Sequence, residues 1–98
     1  MTERTSEVSG MRIRVRRTGG FAGVERAAGV DTAGRADAAR WHALAAGALA
    51  AADTAPPTGV PDGFHYTITV DDRTVYAADP HVADPVRELV TRLLKEGA

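Results

Sequence analysis

Phe64-His65-Tyr66-Thr67-Ile68-Thr69-Val70 alternates apolar and polar side chains, and most of its residues are aromatic or β-branched. Successive side chains of a strand point to opposite faces, so this run predicts a half-buried strand with Phe64, Tyr66, Ile68 and Val70 on its core side. Asp71-Asp72-Arg73 reads as a turn, and Thr74-Val75-Tyr76-Ala77-Ala78 as the returning strand of a hairpin. The same period opens the first half of the chain, where Met11, Ile13 and Val15 alternate with Arg12, Arg14 and Arg16. Val24, Ala28 and Val30 give a weaker returning strand opposite Glu25, Ala27 and Gly29.

Each hairpin is followed by a helical pattern. Trp41, Leu44, Ala45, Ala48, Leu49 and Ala52 recur at three- and four-residue steps, which predicts a long helix capped by Asp31 or Thr32 and ending near Asp53. Arg35, Asp37 and Arg40 lie toward its polar start. Gly47 costs that helix about 1 kcal/mol relative to alanine, which points to a close contact at this position. Residues 54–63 are rich in proline and glycine and form a stiff connection back to the sheet. Asp84-Pro85 reads as an N-cap with proline at the first helical position. Val86, Leu89, Val90, Leu93 and Leu94 then form an apolar face, Arg92 and Lys95 suit the negative end of the dipole, and Gly97 ends the helix. The order ββαββα predicts an α+β domain, a four-stranded, mainly antiparallel sheet with two helices packed on one face. Its arginine- and threonine-bearing face stays open, and the strand order is not fixed by these patterns.

Ninety-eight residues hold one domain and one modest core. We divide them into a flexible polar leader, residues 1–10, and a single domain, residues 11–98. Apolar residues make up 44% of the chain but aromatics only 5%, so small side chains must approach closely around Trp41, Phe64, Tyr66, Leu44, Leu89, Leu93 and Leu94. A formal charge of -1 argues against a whole-surface binder of nucleic acid or anionic membrane. The absence of cysteine excludes disulfides, thiolate nucleophiles and cysteine zinc sites. Residues 1–10 lack the apolar stretch a signal peptide needs and no segment is long and apolar enough to span a bilayer, so a cytoplasmic protein is expected.

Arg16-Arg17-Thr18-Gly19-Gly20-Phe21-Ala22-Gly23 is the segment most suited to recognition. Its glycines permit a tight or bulged connection and it carries one large aromatic. Together with the strand 11–15, the long middle helix and the Phe64 to Val70 strand, it resembles the emfourin family, whose members are protein inhibitors of thermolysin-like metalloproteases. The resemblance covers nearly everything from Met11 onward. The ten-residue leader before Met11 and the alanine-rich linker and middle helix depart from the family pattern.

The resemblance implies a non-enzymatic inhibitor that needs no cofactor or metal of its own. It would block the cleft of a thermolysin-like, protealysin-like metalloprotease through Arg17, Thr18, Gly19, Gly20, Phe21, Ala22 and Gly23. Such enzymes favour a bulky apolar residue just after the scissile bond, which Phe21 could supply. The plain alternative for Phe21 is a ring tucked under the hairpin, with about 1.5–3 kcal/mol of burial. Arg12, Arg14, Arg16 and Arg17 could form a positive strip for an acidic partner, or simply a solvated face. They lack the interleaved aromatics of a single-strand nucleic-acid platform. His42, His65 and His81 show no zinc-site spacing, and His65 lies roughly 15 Å or more from Asp71 and Asp72 along one strand, at about 3.3 Å per residue. We therefore assign no catalytic residue. A small interaction or adaptor module without a protease target is the alternative function, and the free protein is expected to be a monomer.

Overall fold

Alternation of Ile13 and Val15 with arginines makes residues 12–19 a strand with one dry face, and pairing on both of its edges places it inside the sheet. The computed structural model describes residues 10–19, 25–56 and 63–97. The elements are β1 (Arg12–Gly19), β2 (Arg26–Asp31), α1 (Ala38–Ala51), β3 (Phe64–Val70), β4 (Arg73–Ala78) and α2 (Asp84–Glu96). This is the ββαββα order read from the sequence, and the sheet has the order β2-β1-β3-β4 with every pair antiparallel. In register, Ile13 lies between Val30 and Val70, and Val15 between Ala28 and Ile68. Ile68 in turn faces Val75.

These side chains form one face of the sheet, and both helices cover it. Ile13, Val15, Ile68, Val70, Val75 and Ala77 share a single buried cluster with Trp41, Ala45 and Ala48 of α1 and with Val86, Leu89, Val90 and Leu93 of α2. Burial of each branched or aromatic side chain contributes about 1.5–3 kcal/mol. Four of the large residues expected in the core stand at its rim. Leu44, Tyr66 and Leu94 are half-buried against the cluster, and Phe64 lies outside it beside Arg17 and Tyr66. Gly47 has the close contact its position required, since a Cβ there would sit 3.3 Å from Cβ of Pro85.

Asp31 and Thr32 do not cap α1, because a local hydrogen bond engages the Asp31 side chain and tertiary partners take that of Thr32. Asp31 ends β2, and its Oδ1 accepts the Ala33 N–H at 3.0 Å. Thr32 is buried, and its Oγ1 accepts the Met11 N–H at 2.8 Å while sharing a 2.8 Å hydrogen bond with His42 Nε2. Gly34 turns the chain at φ +75, and the helix begins only at Ala38. It ends at Ala51, before Asp53, whose backbone N–H and carbonyl instead bond Tyr76 at 2.9 and 2.8 Å. In α2 the N-cap is Ala83 rather than Asp84, so Asp84 sits in the first turn, where its charge suits the dipole. The β3–β4 turn is Asp71-Asp72 alone, with Asp71 at φ 54 and Arg73 already paired with Val70. Of the expected leader, residues 1–9 lie outside the described residues. Gly10 is close to Ala33, whose Cβ would lie 2.6 Å from a Cβ added at position 10.

Thr32→Val keeps the side-chain shape but removes the partner of the Met11 N–H and of His42. An unsatisfied group of this kind costs about 1–3 kcal/mol, and urea unfolding should report a loss in that range. An unchanged midpoint would mean that the hydroxyl network contributes nothing net.

Asp37 is the N-cap residue of α1 but makes no side-chain cap, because its carboxylate accepts from Arg35 Nε at 2.8 Å and Nη2 at 3.2 Å, and from Trp41 Nε1 at 3.2 Å. The Arg35 hydrogen bonds come first in holding its pKa below the ordinary carboxylate value, with partial desolvation opposing them and Trp41 assisting. A depressed folded pKa stabilises the fold above the unfolded value of about 3.9, and that stabilisation disappears as pH falls through the folded value. The stability difference between wild type and Asp37→Asn should therefore be level at neutral pH and shrink on acidification. A difference independent of pH would exclude the assignment.

Candidate functional site

The last β1–β2 register pair is Arg17 with Arg26, after which β1 continues alone against β3 through the pairs Thr18 with His65 and Gly19 with Phe64. The connection from Thr18 to Glu25 is therefore longer than a tight hairpin turn. Of its expected contact residues, Arg17, Thr18 and Gly19 are described. Gly20, Phe21, Ala22 and Gly23 lie outside the described residues, as does Val24.

The base of this connection is fixed by backbone packing. Gly19 has φ +93, and a Cβ there would lie 2.6 Å from the Gly63 carbonyl oxygen, so only glycine fits without strain. A Cβ at Gly63 would in turn sit 3.1 Å from the Asp79 Cβ. Asp79 clasps the start of β3. Its Oδ2 accepts the Phe64 N–H at 3.2 Å, and its own N–H donates to the Phe64 carbonyl at 2.9 Å. This clasp is not legible from the residues alone, since Asp79-Pro80 reads as an ordinary turn.

Beside the clasp, the Arg17 guanidinium carbon lies 4.2 Å from the centroid of the Phe64 ring, and Phe64 meets Tyr66 at 6.4 Å between centroids. Stacking of this type favours arginine over a desolvated aromatic face. Burial first, and Asp79 second, push the Tyr66 phenol above its ordinary pKa, while Arg17 and Arg87 oppose them. Arg17 thus does not extend the expected arginine strip. As an odd-numbered residue it shares the face of Ile13 and Val15, whereas Arg12, Arg14 and Arg16 project from the open face.

That open face carries less free charge than its three arginines imply. Arg12 lies 3.7 Å from Asp31, and Arg16 Nε lies 2.6 Å from Glu25, which raises the Arg16 pKa chiefly through the hydrogen bond. Arg14 has no ion-pair partner among the described residues. Its register neighbours are Gly29 and Thr69, and Thr69 lies 3.4 Å from Thr74 between hydroxyl oxygens. Exposed pairs of this kind add little stability, so the face is available for contact without a large structural penalty.

The three histidines stay on separate elements. His42 belongs to α1, His65 to β3, and His81 bridges to Ala78. Among the described residues, no group of three His, Cys, Asp or Glu side chains is placed to hold a metal ion. Among the described residues no helix is long and apolar enough to cross a membrane.

The described residues form a small α+β domain with a close Gly19–Gly63 approach at one end of the sheet and an open face bearing arginines and threonines. The family model for Emfourin matches residues 15–94, and the chain belongs to that family. Neither a curated protein nor a solved structure matches it. Membership of this inhibitor family points to a protease-inhibitor role, with a protease as the general class of partner.

Gly19→Ala should destabilise the clamp, because the new methyl group meets both an unfavourable φ and the Gly63 carbonyl. A loss of about 1–3 kcal/mol is expected in chemical unfolding. Amide exchange should also accelerate at Phe64 and His65. Wild-type stability and exchange in this variant would show that position 19 tolerates a side chain.

Proposed function

We propose that the protein inhibits a thermolysin-like zinc metalloprotease by seating the turn of residues 19–23 in the active-site cleft, with Phe21 as its apolar anchor. The observation that carries this reading is the rigid base of the turn. Gly19 is locked against Gly63, and Asp79 holds Phe64 at 2.9 and 3.2 Å. A loop whose ends are already fixed loses less conformational entropy on docking and keeps its ends together if cut. Arg17 and Thr18 flank the turn on β1, and Arg12, Arg14 and Arg16 provide a secondary contact for an acidic surface next to the cleft. The inhibitor acts as a monomer in the cytoplasm and contributes no catalytic group; the zinc belongs to the enzyme.

Titration of a thermolysin-like protease with the purified protein, followed through cleavage of a small peptide substrate, tests the reading directly. Stoichiometric loss of activity is expected. Phe21→Ala should weaken inhibition by about 2 kcal/mol or more, as truncation of a buried anchor does. Full activity at micromolar excess of inhibitor would refute the proposal, and equal inhibition by a folded Phe21→Ala variant would remove Phe21 from the interface.

A further inference from the structure

Arg17 and Arg26 face each other directly across β1 and β2 on the helix side of the sheet. Like charges in this position repel, and sheets ordinarily avoid them. A third cation joins them from α2. Arg17, Arg26, Thr91, Leu94 and Lys95 line an open depression of about 390 Å3, and no carboxylate is among the described residues that line it.

Two of these cations have an internal reason to be here. Arg26 Nη2 donates to the Leu94 carbonyl at 3.2 Å, and Lys95 occupies the last turn of α2, where positive charge suits the helix dipole. Arg17 stacks on Phe64, 4.2 Å from the ring centroid, but that contact supplies no hydrogen-bond acceptor. Its Nε is buried and has no hydrogen-bond partner among the described residues, although it carries an N–H that water would otherwise satisfy. The nearest acids in sequence are turned away. Glu25 pairs with Arg16 at 2.6 Å and Glu96 with Arg92 at 3.2 Å. Three cations, a hydroxyl, an apolar floor and an orphaned buried donor together lack only an anion.

We propose that this pocket is an anion-binding site that receives a carboxylate, an Asp or Glu side chain on the protease rim, when the neighbouring turn enters the cleft. The inference rests on the inhibitor reading for the source of the carboxylate, but not for the existence of the anion site. Arg17 and Arg26 are the last paired residues before the turn, so a group bound between them sits at the root of the inserted segment. Arginine presents paired N–H donors that match the two oxygens of a carboxylate, and Lys95 adds a point charge without geometric demand.

The test has two arms. In the first, the free protein is titrated with sodium acetate against sodium chloride at constant ionic strength, and the arginine Nε–Hε resonances are followed by NMR. Arg17 should show a saturable shift, while Arg92, already paired with Glu96, should not. In the second, Arg26→Gln and Lys95→Gln are compared with wild type as inhibitors of a thermolysin-like protease, with circular dichroism confirming the fold. Each should raise the inhibition constant about tenfold and flatten its salt dependence. Arg73→Gln, an exposed charge removal on β4, should leave the constant unchanged.

The absence of an acetate-specific shift at Arg17 would overturn the site. A shift combined with unaltered inhibition by both variants would leave a site for free anions and overturn its role in docking. If wild type inhibits no such protease while the Arg17 shift persists, the target assignment falls and the anion site stands.

Discussion

The two-sided hydrogen bonding of β1 is the constraint on which the rest of the molecule depends. Met11 gives its carbonyl to the Thr32 N–H at 2.9 Å, and Arg12 gives its carbonyl to the Asp71 N–H at 2.8 Å. Odd residues therefore turn their amides toward β2 and even residues toward β3, while their side chains alternate across the sheet. A one-residue slip would expose Ile13 and Val15 and bury arginines, so the register has no near competitor. Thr32 and Asp71 reinforce it with their side chains, which accept the Met11 and Arg12 N–H groups at 2.8 and 3.0 Å. The first residues of the central strand are thus held from both neighbours by backbone and side chain together.

The same constraint explains what could be read from the residues and what could not. Period-two alternation is local, so β1, β3 and β4 were legible, as were the apolar stripes of the helices. The start of α1 was not, because Asp31 and Thr32 look like helix caps until Met11 and His42 claim the buried hydroxyl. Strand order was equally hidden, since it depends on which edge of β1 the second hairpin meets. At the candidate site, Gly19 and the turn stood out through glycine content, whereas Asp79 and Gly63 act through contacts distant in sequence. The role proposed for Phe21 rests on the family resemblance, since that residue lies outside the described ones. Arg17 was misplaced onto the open strip because it was counted with its neighbours, although its odd number sends it to the helix side.

Both outer edges of the sheet are at least partly occupied, and this limits how a partner can bind. Along β4, Tyr76 exchanges both backbone hydrogen bonds with Asp53, so the stretch after α1 serves as a short cover strand. Along β2, Gly29 lies opposite Arg14 and turns its backbone groups outward, where the end of α2 meets them. A Cβ at Gly97 would sit 2.9 Å from the Gly29 carbonyl oxygen and 2.6 Å from that of Leu93, so glycine at this position lets the helix end lie against the strand. Strand addition, the usual liability of an open sheet, is obstructed at both sites. Among the described residues two surfaces remain for a partner, the open arginine–threonine face and the end of the sheet at Gly19. The second combines the close Gly19–Gly63 approach with the facing charges of Arg17 and Arg26, and under the proposed inhibitor role a segment fixed at its base loses less entropy on docking.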